Sequence, residues 1–390
     1  MASKGSKPDS GRAVASLRAR LLRWYGRSHR DLPWRRTRDA YRVWVSEIML
    51  QQTRVETVVP YYERFLARFP DVQTLADAPL HDVLALWSGL GYYRRARHLH
   101  AAAAVVVRDH DGRFPGELDD ARELPGIGRS TGGAIVSISY GARAPVLDGN
   151  VKRVVARLFA LRGDPDASPL EPRLWRLAQS FVDCDEPGDV NQALMELGAT
   201  TCLPFAAARC GECPVGELCL ARARGLVARL PQKSKSVAPI AESWAVAIAR
   251  RAGRWLVHQR DDEGLLRGMY EFPTVELATS QAHDGEPRRA ALAAFLLERF
   301  GLHARIGGEL LLHRHAISNR VVTERVFAAS VTSRGGAAAR WLDAPAIRAL
   351  PITTATRTIL DACFTRPAAA TSATNGEAPA RPARPRPRAP

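Results

Sequence analysis

Lysine is nearly missing from this chain. Of 56 basic residues only Lys4, Lys7, Lys152, Lys233 and Lys235 are not arginine. Long apolar runs are missing too. The longest, "AAAAVVV" at 101–107, falls far short of the ~20 residues that span a bilayer, so no membrane partner is expected. The opening "MASKGSKPDS" lacks the apolar core of a secretory signal, and the chain is read as cytoplasmic. Cysteine stops at 6 in 390 residues, which in that compartment argues against a disulfide framework. Alternating apolar runs are absent between 12 and 225, which excludes a sheet there.

What is present is positive charge. Lys+Arg exceeds Asp+Glu by 56 − 40 = 16, a field that favours a polyanionic partner. The arginine fork suits phosphate because it donates two parallel hydrogen bonds. Composition then divides the chain. Residues 1–11 form a polar tail. Residues 12–225 carry apolar positions at three- and four-residue spacing, as in "NVKRVVARLFAL". Residues 226–241 are basic and proline-bearing and read as a linker. In 242–365 "WAVAIAR" and "RWLVHQR" flank "RAG" as a hairpin, "RRAALAAFLLERFG" reads as a helix, "RVVTERVFAASV" alternates, and "TATRTILDACF" returns to helix. This predicts a smaller α/β domain. Residues 366–390 are a proline- and alanine-rich basic tail, expected to be disordered.

Four motifs carry chemistry. "LPGIGRSTGGA" fits a helix, a glycine turn and a second helix from near Arg129. The amides of Gly126, Gly128 and Ser130 would lie at a helix N-terminus, where an anion is favoured; a tight corner between helices uses glycine equally well. Cys202, Cys210, Cys213 and Cys219 give C-x7-C-x2-C-x5-C, enough thiolates for one metal centre, either tetrahedral zinc or a four-iron cluster. Cys184 and Cys363 stand apart and read as ordinary buried thiols. Glu47 has Val43, Trp44, Leu50 and Gln51 at helical spacing, so its carboxyl should face the interior and favour the protonated form of a general acid. The alternative is a buried ion pair with Arg30 or Arg35. Asp148 precedes a helix beginning near Val151 and is a cap by default, with Asn150 competing for that position. Paired with Glu47, it would complete the two-carboxylate set of glycoside chemistry.

"SEIMLQQT", "GLGYYRRARHLH", "LPGIGRSTGGA", "LDGNVKRV", "NQALMELGA" and the four-cysteine loop occur in the order of the endonuclease III superfamily, which the chain resembles over 12–225. "GLGYYRRAR", "LDGNVKRV" and the C-terminal domain resemble its MutY-type adenine glycosylase branch. The resemblance implies a mainly α, two-lobed helix-hairpin-helix glycosylase with a [4Fe-4S] loop held by the four cysteines. It implies a monomer that acts on double-stranded DNA at A:8-oxoguanine or A:G mispairs, within the nucleoid. Glu47 matches the acid that protonates adenine, and Asp148 the carboxylate that stabilises the sugar cation. Asn150 matches its orienting partner, Gln52 and Tyr92 match wedges into the duplex, and Arg30, Trp34, Arg35, Leu50 and Gln192 match adenine-pocket positions.

Strand-cleaving members of the superfamily, the oxidised-pyrimidine glycosylase/lyases, carry lysine where this chain has Ser130. Its absence favours a monofunctional glycosylase. Lys152 reads as a phosphate contact or a solvated helix residue. Two departures stand out. The first cysteine spacing is seven residues where the family usually has six. The family's Phe-Ser-His lesion loop is Ile317, Ser318 and Asn319 here, so the lesion contacts fall to Ser318 and Asn319. "GLLRGMYEFP" makes the C-terminal domain resemble a Nudix fold, yet the helix "RRAALAAFLLERFG" offers only Glu298 to a metal. That domain is therefore expected to recognise DNA rather than hydrolyse diphosphates.

Overall fold

The computed structural model describes residues 10–232, 238–261, 263–277 and 285–365. The expected tails at 1–9 and 366–390 and the centre of the expected linker lie outside the described residues.

The first part of the chain is helical, as its periodicity predicts. It comprises α1 (Ser10–Ser28), α2 (Ala40–Leu50), α3 (Val55–Arg68), α4 (Val72–Asp77), α5 (Leu80–Trp87), α6 (Arg94–Asp109), α7 (Leu118–Glu123), α8 (Arg129–Tyr140), α9 (Gly149–Leu158), α10 (Leu170–Val182), α11 (Pro187–Thr200) and α12 (Leu220–Ala223). Asp39 starts α2 by accepting from the Arg42 amide at 2.8 Å. α2 packs on α8, and α11 on α1, α8 and α9, so α2 and α11 face each other across one continuous core. Residues 227–232 still belong to this body: Leu230 is buried, and its carbonyl accepts from Arg157 Nε at 2.8 Å.

The glycines of the α7–α8 hairpin do two different jobs. Gly126 has φ +80°, and a Cβ there would meet His98 at 2.7 Å, so it makes the turn. Gly133 lies inside α8, where a Cβ would sit 2.4 Å from the Pro145 carbonyl oxygen. It brings α8 against the segment that leads to Asp148. Gly132 and Gly133 are thus buried packing positions inside α8, distinct from the turn residues Gly126 and Gly128.

The second part is a mixed sheet between helices. Its elements are β1 (Ile240–Arg251), β2 (Arg254–Gln259), β3 (Tyr270–Glu271), β4 (Thr274–Leu277), α13 (Gly285–Phe300), β5 (Ala304–Ile317), β6 (Arg320–Val331), β7 (Arg340–Leu342), α14 (Ala344–Ala349) and α15 (Thr354–Thr365). The order is β3-β2-β1-β6-β5, with β1 and β6 parallel. The β1–β2 hairpin turns at Ala252 and Gly253, both at positive φ. α13 packs on one face; α14 and α15 cover the other. α13 begins earlier than the sequence pattern suggests and adds Glu286 to Glu298. Glu286 is only 3.6 Å from Arg289 on the surface.

The two parts meet at the Ile352 carbonyl, which accepts from Ser88 Oγ at 2.6 Å and Tyr93 OH at 3.2 Å. Arg357 Nη2 donates to Ser88 Oγ at 3.0 Å. The seam therefore lies directly behind the loop that carries Tyr92.

Candidate active site

A cleft of about 660 Å³ opens between α2, the start of α8, the Val146–Asn150 segment and α11. Glu47 and Asp148 both line it. With them are Arg30, Trp34, Arg35, Leu50, Gln52, Ser130, Asn150 and Gln192, so a single cavity gathers side chains from residue 30 to residue 192. Tyr92, Gly126, Gly128, Ser318 and Asn319 lie outside its lining.

Glu47 is half-buried and makes no hydrogen bond to another described residue. Burial first, and the negative charge of Asp148 second, push its carboxyl up to about 7, with Arg35 opposing. The alternative of an ion pair with Arg30 or Arg35 fails for a specific reason: both arginines are committed to Glu196. Arg30 donates to Glu196 through Nε (2.8 Å) and Nη2 (2.7 Å), and Arg35 through Nη2 (2.8 Å). Burial of Glu196 would raise its carboxyl, but these charge-assisted bonds override it and hold the group near about 2. The carboxylate that neutralises the arginines is therefore a second glutamate, one that the sequence reading missed. Its signal was available: Gln192 and Glu196 stand four apart on α11, on one face.

Asp148 caps α9, so the default reading holds as well. Its Oδ1 accepts from the Val151 amide at 2.7 Å, and its Oδ2 from Asn150 Nδ2 at 3.2 Å. Burial raises its pKa and these bonds oppose the rise. Asn150 Oδ1 in turn accepts from Arg153 Nη2 at 2.9 Å, and Arg153 Nε donates to the Cys202 carbonyl at 2.7 Å. A chain of hydrogen bonds thus runs from the cleft carboxylate to the cysteine loop. Asn150 supports Asp148 and does not replace it as cap. Ser130 also turns inward: its Oγ accepts from the Leu147 amide at 3.0 Å, which fixes the segment just before Asp148.

Two exposed residues flank the cleft mouth, Gln52 (φ +56°) and Tyr92 (φ +49°), both in backbone that side chains rarely adopt. One guanidinium braces both loops. Arg95 Nη1 donates to the carbonyls of Ile48 (2.9 Å), Met49 (2.8 Å) and Gln51 (2.5 Å), while Nη2 donates to Gly91 (3.1 Å) and to Thr53 Oγ1 (3.1 Å). Burial lowers its pKa to about 10, so it stays charged at neutral pH. Lys152 is neither a phosphate contact nor a solvated residue. Its Nζ lies 2.7 Å from Asp166 and 3.4 Å from Glu171, with the side chain 15% exposed.

Cys202, Cys210, Cys213 and Cys219 line one small pocket together with Arg157, Arg209 and Arg222. Among the described residues no three of these sulfurs lie within 4.8 Å of one another, whereas a tetrahedral zinc with Zn–S bonds of ~2.3 Å sets sulfurs ~3.8 Å apart. Burial pushes the Cys213 thiol up to about 11, and Arg157 Nη1 lies 3.4 Å from Cys202 Sγ.

Comparison with known proteins bears on this arrangement. Residues 45–180 match the HhH-GPD superfamily of base excision DNA repair proteins, and residues 244–362 the NUDIX domain. The adenine DNA glycosylase of Mus musculus is 36% identical over 385 residues, covering 84% of this chain and 74% of that protein. The chain belongs to the adenine DNA glycosylases.

Another adenine DNA glycosylase, from Buchnera aphidicola subsp. Acyrthosiphon pisum, is 38% identical over 65% of this chain and 72% of its own length. Among solved structures, a thermostable thymine-DNA glycosylase superposes with a TM-score of 0.51 at 28% identity, covering 55% of this chain and 99% of that one. As an adenine DNA glycosylase, the chain thus joins a helical HhH-GPD body to a Nudix-like mixed sheet. Among the described residues no helix is long and apolar enough to cross a membrane.

Proposed function

We propose that this adenine DNA glycosylase removes adenine paired with 8-oxoguanine or guanine in duplex DNA, by hydrolysis and without cutting the strand. One observation carries the reading: Glu47 is left unpaired and half-protonated near neutral pH in the cleft that also holds Asp148. The adenine nucleotide leaves the stack and enters that cleft. Glu47 donates its proton to N7 of the base. The C1′–N9 bond then breaks and its electron pair leaves with adenine. The cation at C1′ faces the Asp148 carboxylate, water adds to C1′ and sheds a proton, and an abasic sugar remains. Arg30 and Arg35, both held by Glu196, shape the pocket with Trp34, Leu50 and Gln192, and the pull of Arg35 on the Glu47 proton is outweighed by burial and by Asp148. Gln52 and Tyr92 act as wedges, and the turn amides at Gly126 and Gly128 hold a phosphate. The domain of about 242–365 reads the opposite base through Ser318 and Asn319 at the β5–β6 turn.

Strand cleavage needs an amine near C1′. No lysine lines the cleft, and Lys152 is engaged by two carboxylates. The cofactor is a [4Fe-4S] cluster on the four cysteines. The four cysteines line one pocket and supply the donor set of a cubane, and three arginines around that pocket offset the charge of four thiolates. When bound, the cluster supplies a covalent tie that closes the loop; Arg153 links that loop to Asn150.

The test is a single-turnover assay on duplexes carrying A:8-oxoguanine, A:G or A:T, with alkali to reveal abasic sites. Release from the first two and not the third is expected. An intact adenine strand in all three overturns the reading, and a borohydride-trappable adduct overturns its monofunctional part.

A further inference from the structure

The Nudix-like domain holds a second group of converging ligand atoms, far from the four cysteines in sequence. His313 and His315 stand two apart on β5 and therefore share a face of the sheet. The register places Glu324 of β6 directly opposite His313. His313 Nδ1 is 2.9 Å and His315 Nδ1 3.6 Å from the same carboxylate oxygen, Oε2 of Glu324. The ligand atoms of all three lie within 4.8 Å of one another, and they form the one such group of His, Cys, Asp or Glu among the described residues.

We propose that His313, His315 and Glu324 bind one divalent transition-metal ion, with zinc as the ion whose preferences they match. Two neutral imidazoles and a carboxylate are an established donor set for zinc. With bonds of ~2.0–2.1 Å, a tetrahedral ion sets its ligand atoms ~3.3 Å apart, and the observed 2.9 and 3.6 Å bracket that edge. Two further features point the same way. Glu324 is 5% exposed and its one hydrogen bond among the described residues comes from His313, so no permanent cation is in direct contact with its charge. Nδ1 of His315 is buried without a hydrogen-bond partner. Arg260 does not supply that cation, because its guanidinium is taken by Glu271 at 3.0 Å and Glu276 at 2.5 Å. The fourth position opens into a small cavity lined by His315, Glu324, Thr353 and Thr356, where a water completes the coordination. The site is empty here. Its place in the fold gives it a use: it cross-links β5 to β6 two residues before Ile317, at the root of the Ile317–Asn319 turn, and so fixes how that turn is presented.

The inference stands apart from the glycosylase reading and is tested without turnover. The iron-loaded full chain is freed of loosely bound metal by a mild chelator, then titrated with Zn²⁺, and separately with Co²⁺ as an optical probe. The His313→Gln/His315→Gln double variant is the comparison. Glutamine can still donate to Glu324, and an unchanged far-ultraviolet circular dichroism spectrum with its thermal melt reports an intact fold. Glu324→Gln serves as a second, independent variant. The expected result is one more tightly held equivalent in wild type than in either variant, with at least tenfold weaker binding in both. Cobalt should show ligand-field bands without thiolate charge transfer. Equal uptake by all three proteins, or a cobalt spectrum of thiolate character in wild type, overturns the proposal.

Discussion

Glu47 in the helical body and Glu271 in the Nudix-like sheet have carboxyls pushed to the same value, about 7, with burial as the leading cause. Each also has a second carboxylate nearby, Asp148 for Glu47 and Glu324 for Glu271, but they differ in pairing and access. Glu271 is 7% exposed and takes two 3.0 Å hydrogen bonds from Arg260. Glu47 has no such partner, opens onto a cleft of about 660 Å³, and shares it with a second carboxylate. A raised pKa therefore does not mark an acid that works on a substrate. Access to a large cleft and a carboxyl not engaged by an arginine are what set Glu47 apart from Glu271.

The largest separation between the two residues is in catalysis. Glu47→Gln should lower the single-turnover rate by about 10²- to 10⁴-fold, the range for losing a general acid. Glu271→Gln should leave it within a few-fold. Comparable losses in both variants would break the comparison. With wild type, the rate should fall about tenfold per pH unit above about 7, as Glu47 gives up its proton. A rate flat to pH 9 would remove Glu47 from the acid role.

Stability should separate the pair with opposite signs. The folded pKa of Glu47 lies above its unfolded value. The folded state therefore holds an extra proton between about 4.5 and 7, and stability is lost as pH rises through that window. Glu47→Gln removes the penalty, so at pH 8 it should stabilise by up to about 3 kcal/mol, with no gain at pH 4. Glu271→Gln loses two charge-assisted hydrogen bonds from Arg260, which keeps only Glu276, and should cost about 1 kcal/mol. Denaturant melts at the two pH values decide both. Glu196 obeys the converse rule. Its folded pKa is depressed to about 2, so its contribution is present above about 4.5 and is lost as pH falls towards 2. Acid unfolding of a Glu196→Gln variant should lack that component.

The smallest effect tests the seam between the two regions. Tyr93→Phe removes a hydrogen bond to the Ile352 carbonyl and should cost about 1 kcal/mol. If the seam also steadies the Tyr92 loop, the variant will show a raised KM at nearly unchanged kcat.

Much of this was legible in the residues, and what was not has physical reasons. Helices α1 to α11 follow from apolar spacing, and the β1–β2 hairpin from the turn at Ala252 and Gly253. Strand β5 escaped notice because Gly307 and Gly308 interrupt its alternation where its pairing with β6 shifts register between Ile306 and Leu311. Glu47 was placed correctly by its helical neighbours. The partner of Arg30 and Arg35 was not, because Glu196 lies more than 160 residues away and local periodicity is silent about such contacts. The reason for a glycine at 133, inside α8, was not legible because the carbonyl it approaches, that of Pro145, is supplied by a different segment.

Arg95 gives the two exposed tips a common yoke. Since the same planar group grips the backbone behind Gln52 and behind Tyr92, neither can yield alone. A push on either tip is carried through one guanidinium to the other, so the two loops are set to shift as a pair.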